Sequence, residues 1–138
     1  MPAAPYLYFD GTCAEALNFY AAIFGDPKPA IMRYAEAPDA PPDWQSDRVI
    51  YGHVRVAGSL VMASDTPPGT PPPPPQASVS VCAMLDSAEA ARAAFDALSA
   101  GGEISMPFAA TFFSPAFGMV KDRFGTQWMV MVETPPPG

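Results

Sequence analysis

Residues 6–25, YLYFDGTCAEALNFYAAIFG, carry a strand, a helix start and a helix stop in one short run. The aromatic and apolar run Tyr6-Leu7-Tyr8-Phe9 reads as a strand. Thr12-x-x-Glu15 reads as a capping box, in which two side chains satisfy exposed amides at a helix start. Ala16, Leu17, Tyr20, Ile23 and Phe24 follow at helical spacing, and Gly25 supplies the stop. Three strand-like segments come next: AIMRYAE (30–36), RVIYGHVRVAG (48–58) and SLVMASD (59–65), with Gly58 at the turn between the last two.

The same grammar returns in the second half. SVSVCAML (78–85) reads as a strand, Asp86-x-x-Glu89 as a second capping box, and Ala88, Ala91, Phe95 and Leu98 as one apolar helical stripe. Gly101-Gly102 ends that helix, and EISMPF (103–108), FGMVKD (117–122) and TQWMVMVE (126–133) read as strands. Asp86 follows Thr12 by 74 positions and Gly101 follows Gly25 by 76, so the unit is written twice. A strand-helix-strand-strand-strand unit covers one sheet face with its helix. The other face must find cover from the second unit, another subunit or a ligand. The expected fold is therefore α+β, two βαβββ modules forming a curved mixed sheet around a cleft, with helices on the outer face. Module one spans 1–65, a proline-rich connector 66–76 and module two 77–133, in a single domain. The connector, TPPGTPPPPPQ, favours an extended polyproline conformation and reads as a stiff spacer; the alternative is a ligand for an aromatic-groove domain.

Composition excludes several classes. A net charge of −7 with only seven Lys and Arg argues against a nucleic-acid partner, which needs clustered cations. An acidic surface tolerates or attracts a cationic small molecule instead. Cys13 and Cys82 make no disulfide framework and no metal site by spacing. MPAAPYLYF has no basic start and no long apolar segment, and no run approaches the ~18 apolar residues of a membrane span. No signal peptide and no membrane partner are expected, and the cytoplasm is the simplest location.

Taken together, PYLYFDGTCAEALNFYAAIFG, HVRVAGSLVMASD and TFFSPAFGMVKDRFGTQWM resemble the vicinal oxygen chelate superfamily of glyoxalases, bleomycin-resistance proteins and extradiol dioxygenases. More narrowly they resemble its PhnB-like branch, part of which carries a 3-demethylubiquinone methyltransferase label. The resemblance covers nearly the whole chain except the connector and tail. It implies paired βαβββ modules, a homodimer and, in metal-using members, a divalent ion held by His, Glu or Gln from the first and last strands of each module. Counted back from Phe19-Tyr20, the first-strand histidine falls on Pro5; four residues after Gly125, the last-strand glutamate falls on Met129. SLVMASD has no acid before Asp65, and SVSVCAML has no His or Glu. No metal and no cofactor are therefore expected, although a slip of register brings His53 or Glu133 into consideration.

Side-chain alternation then assigns a lining. If Pro5 and Met129 face the cleft, so do Leu7, Phe9, Gln127 and Met131, while Trp128, Val130 and Val132 turn the other way. Tyr51, His53 and Arg55 alternate with Val54 and Val56 and form a convergent polar set opposite the helix. The loop TFFSPAFG adds Phe112, Phe113 and Phe117. The ligand-binding candidates are Leu7, Phe9, Tyr51, His53, Arg55, Phe113, Phe117, Gln127, Met129 and Met131. Each also has a bland reading as core or solvated surface. His53, the sole histidine, is the one candidate acid–base group. Cys13 stands at a helix start, where a thiol pKa can be lowered, but no partner base is near in sequence. The expected function is metal-free binding of a small aromatic or apolar molecule. The alternatives are a metal-dependent lyase, isomerase or dioxygenase and, more distantly, a methyltransferase, for which no glycine-rich nucleotide loop follows the first strand.

Overall fold

The computed structural model describes residues 3–44, 46–75, 77–112 and 114–132. They form two compact units that divide inside the proline run, between Pro74 and Pro75. The first contains β1 (Tyr6–Phe9), α1 (Cys13–Phe24), β2 (Ala30–Arg33), β3 (Val49–Val56) and β4 (Ser59–Asp65). The second contains β5 (Val81–Leu85), α2 (Ala88–Ser99), β6 (Glu103–Ala109), β7 (Phe117–Lys121) and β8 (Gln127–Val132). Each unit is the expected βαβββ module. The sheets are ordered β1-β4-β3-β2 and β5-β8-β7-β6, and β1–β4 and β5–β8 are their parallel pairs. The expected strand over residues 30–36 is shorter than its sequence suggests, because Tyr34–Glu36 turns as a 3-10 helix.

One face of each sheet is buried by its own helix. In the first unit Leu17 and Tyr20 of α1 share a core with Leu7, Phe9, Val54, Val61 and Ala63. In the second, Phe95 and Leu98 of α2 share one with Ala83, Val120, Trp128 and Val130. Close packing requires a glycine at the matched strand position of each unit. A Cβ on Gly52 would stand 2.5 Å from Leu17 Cδ1 and 2.8 Å from the Ala30 carbonyl oxygen; one on Gly118 would stand 2.6 Å from the Phe95 ring.

Both capping boxes are corrected by the structure. Thr12 makes no side-chain capping bond. Asp65, at the far end of β4, caps α1 instead: its Oδ1 accepts from the amides of Gly11 (2.8 Å) and Cys13 (3.0 Å), and its Oδ2 from that of Val49 (2.9 Å). A carboxylate brought from a neighbouring strand satisfies the helix-start amides and opposes the positive end of the helix dipole. The cap of α2 is Ser87, not Asp86; its Oγ accepts from the Ala90 amide at 3.1 Å. Gly25 does end α1, in the left-handed conformation (φ 78°), with its amide donating to the Ala21 carbonyl. In α2 the last helical residue is Ser99 and the extended cap is Ala100, one residue ahead of the glycine pair.

Candidate functional site

The face of each sheet turned away from its helix is set by strand register. In the first unit Tyr6 on β1 stands opposite Met62 on β4, Met62 opposite His53 on β3, and His53 opposite Ala30 on β2. The next row begins with Tyr8 opposite Ser64 and ends with Tyr51 opposite Met32. Directly opposite residues share a face. The far face of this sheet therefore collects Tyr6, Tyr8, Tyr51, His53 and, toward the strand end, Arg55. The Tyr6 and Tyr8 ring centroids are 5.1 Å apart, and the Tyr51 and His53 rings meet edge to face at 5.8 Å. All three tyrosines are exposed and His53 is half-buried.

Asp26, just past α1, braces the end of this face. It accepts the backbone amide of Arg55 at 2.9 Å and that of Lys28 at 3.0 Å. Those two amides, Arg55 first, hold its carboxyl below the usual carboxylate range.

The structure thus puts Tyr51, His53 and Arg55 on the face the alternation predicts. Leu7 and Phe9 are corrected: they lie on the covered face beneath α1, only 3% and 4% exposed, and Tyr6 and Tyr8 take the far face. The count back from Phe19-Tyr20 crosses the Asp10–Thr12 turn, and a one-residue error there flips every side chain of the strand. A usable signal was present in the strand itself. Leu7 and Phe9 have no polar atom, whereas a tyrosine hydroxyl keeps its partner most easily at a surface.

In the second unit, Gln127, Met129 and Met131 lie on the far face and Trp128, Val130 and Val132 on the covered one, as alternation predicts. Cys82, Met129, Met119 and Met106 form a row across all four strands. Beside it, Met84, Met131, Phe117 and Ala109 form a second. Phe117 is buried, whereas Phe112 is 99% exposed. Phe113 and Glu133 lie outside the described residues. A cavity of about 620 Å³ opens at the Gln127 end, where Glu103, Lys121 and Gln127 stand in register, and Ser80, Ser105 and Met119 complete its wall.

Two buried carboxylates are fully engaged in holding the fold. Asp65 is bound as described above. Asp122 Oδ1 accepts from the amides of Phe124 (2.8 Å) and Thr126 (3.0 Å), and its Oδ2 from the Trp128 indole at 2.9 Å. Cys13 is sealed in the first core. Burial, with the Asp65 charge beside it, pushes its thiol up to about 12, the reverse of an activated thiol. Among the described residues no three His, Cys, Asp or Glu side chains converge.

A family model described as 3-demethylubiquinone-9 3-methyltransferase matches residues 2–131. The chain belongs to this PhnB-like family of the vicinal oxygen chelate superfamily. Its relatives include protein YjdN of Escherichia coli (strain K12), 33% identical over 150 residues and covering 99% of each chain. Among solved structures, protein PA1353 from Pseudomonas aeruginosa is 35% identical, with a TM-score of 0.86 over 96% of this chain and 98% of that one. The PhnB protein from Bacillus cereus shares the fold at 24% identity and a TM-score of 0.76, over 96% of this chain and all of its own. No helix among the described residues is long and apolar enough to cross a membrane.

Proposed function

We propose that this PhnB-like chain binds a small aromatic or apolar molecule on its far sheet faces, without a divalent metal, as a cytoplasmic homodimer. The observation that carries the reading is the far face of the first sheet. Three exposed tyrosines surround the sole histidine there, with Arg55 at the strand end. Small-molecule sites combine apolar and aromatic walls with a few oriented polar groups, and this face has both. Tyrosine rings offer stacking area at a low cost in side-chain freedom, and the imidazole and guanidinium supply direction. The net charge of −7 favours a neutral or cationic ligand over an anionic one.

The methyltransferase reading in the family's description has less support. The turn into α1 is Asp10-Gly11-Thr12, and the Gly11 and Cys13 amides are already bound by Asp65 rather than free for a cofactor.

The test is a thermal-shift screen of small aromatic compounds, neutral and cationic, followed by calorimetry on each hit with parent and His53→Ala protein. His53→Ala should weaken binding by about tenfold, near 1.4 kcal/mol, and leave the melting temperature nearly unchanged. A large loss of stability with affinity unchanged would reject the site. Stoichiometric zinc, nickel, manganese or iron in protein purified without chelator would reject the metal-free part, and a monomer in sedimentation at micromolar concentration the dimer.

A further inference from the structure

The seven methionines other than Met1 all lie on the far faces, and none belongs to the buried core beneath a helix. Five of them, Met84, Met106, Met119, Met129 and Met131, share the far face of the second sheet with Cys82. A need for apolar surface does not explain this. The covered face of the same sheet is apolar too, yet it is built from Val81, Ala83, Val120, Trp128 and Val130.

The sulfurs are also ordered. Cys82 on β5, Met129 on β8 and Met119 on β7 stand directly opposite one another on successive strands, with Met106 next on β6. Adjacent strands lie about 4.8 Å apart, and directly opposite side chains are the nearest neighbours on a sheet face. Methionine has three rotatable bonds ending in a polarisable thioether, so sulfurs from three adjoining positions can turn toward one point above β8. A thiolate serves Cu(I) and Zn(II) alike, but neutral thioethers are soft donors that suit Cu(I), so a set of two thioethers and one thiolate favours Cu(I). Among the described residues, the row across the middle of this face, Cys82, Met129, Met119 and Met106, offers sulfur at every position. We propose that the far face of the second sheet binds one Cu(I) ion through the sulfurs of Cys82, Met129 and Met119. The expectation of no metal rested on nitrogen and oxygen donors, and this site uses neither. It uses residues other than the first-sheet tyrosines and His53 that carry the aromatic-ligand reading.

Two thioethers and one thiolate balance the single positive charge of the ion. Cys82 is exposed, and binding as the thiolate releases its thiol proton to solvent.

The full chain, kept reduced under argon, is set to compete for Cu(I) with bicinchoninate, whose copper complex is coloured. The chain should withdraw one equivalent, and X-ray absorption should report a shell of sulfur alone. Leucine keeps the volume and apolarity of methionine while removing the donor, so the Met119→Leu/Met129→Leu protein should fold as before. It should lose at least about tenfold in copper affinity. Cys82→Ser, at an exposed strand position, should lose as much, and Met32→Leu on the first sheet should lose nothing. A chain that withdraws no copper overturns the proposal. So does a nitrogen- or oxygen-dominated shell, or copper held as tightly by the double variant or by Cys82→Ser as by the parent.

Discussion

Gly52 and Gly118 occupy the same place in the two sheets, yet their neighbours His53 and Met119 have nothing in common. The matching runs through both sheets. Leu7, Ala63 and Gly52 on the covered face of the first correspond to Ala83, Val130 and Gly118 on that of the second. On the far faces, Tyr6, Met62, His53 and Ala30 correspond to Cys82, Met129, Met119 and Met106. The covered faces keep one solution because a helix must approach a sheet closely and dry. The far faces are released from that demand, and they have diverged into an aromatic and basic surface and a sulfur surface.

Each half of the comparison can be broken separately. Asp65 and Asp122 each end a network of three donors, so Asp65→Ala and Asp122→Ala should each cost about 3 kcal/mol or more through orphaned buried groups. Hydrogen exchange should show the loss of protection concentrated in the mutated unit. Equal loss in both would contradict the assignment of each carboxylate to the core of its own unit.

Gly52→Ala and Gly118→Ala come next, at about 1–3 kcal/mol each from overpacking. Gly52→Ala should be the costlier, because its added carbon stands 2.8 Å from the Ala30 backbone oxygen, whereas the nearest backbone atom at Gly118, Phe108 Cα, is 3.2 Å away. Urea unfolding of both variants decides this, and a neutral Gly52→Ala would refute the close approach of α1.

The smallest effect is a dependence on pH. The Cys13 thiol is raised from 9.0 to about 12 in the folded chain, which therefore holds that proton more tightly than the unfolded chain does. The contribution is fully present below pH 9 and is lost as pH rises through 12. The melting temperature should fall over that window, and Cys13→Ala should remove much of the slope. An unchanged slope would mean that the thiol is not sealed.

The repeat, the two helices, eight strand positions and the facing of β3 and β8 were all legible in the sequence, because periodicity and turn residues act locally. Only the tertiary structure decided the α1 cap, because the bond from Asp65 to Gly11 spans 54 positions. It also decided the facing of β1. Four residues of alternating Tyr and apolar character set no register until β4 pairs with them, and that pairing exchanges Leu7 and Phe9 for Tyr6 and Tyr8 on the far face. The methionines were visible one at a time along the chain. Their collection on one side is a property of strand register, which brings Cys82 and Met129 opposite each other from 47 positions apart. Local chemistry chose the elements, and long-range pairing chose which side chains they present.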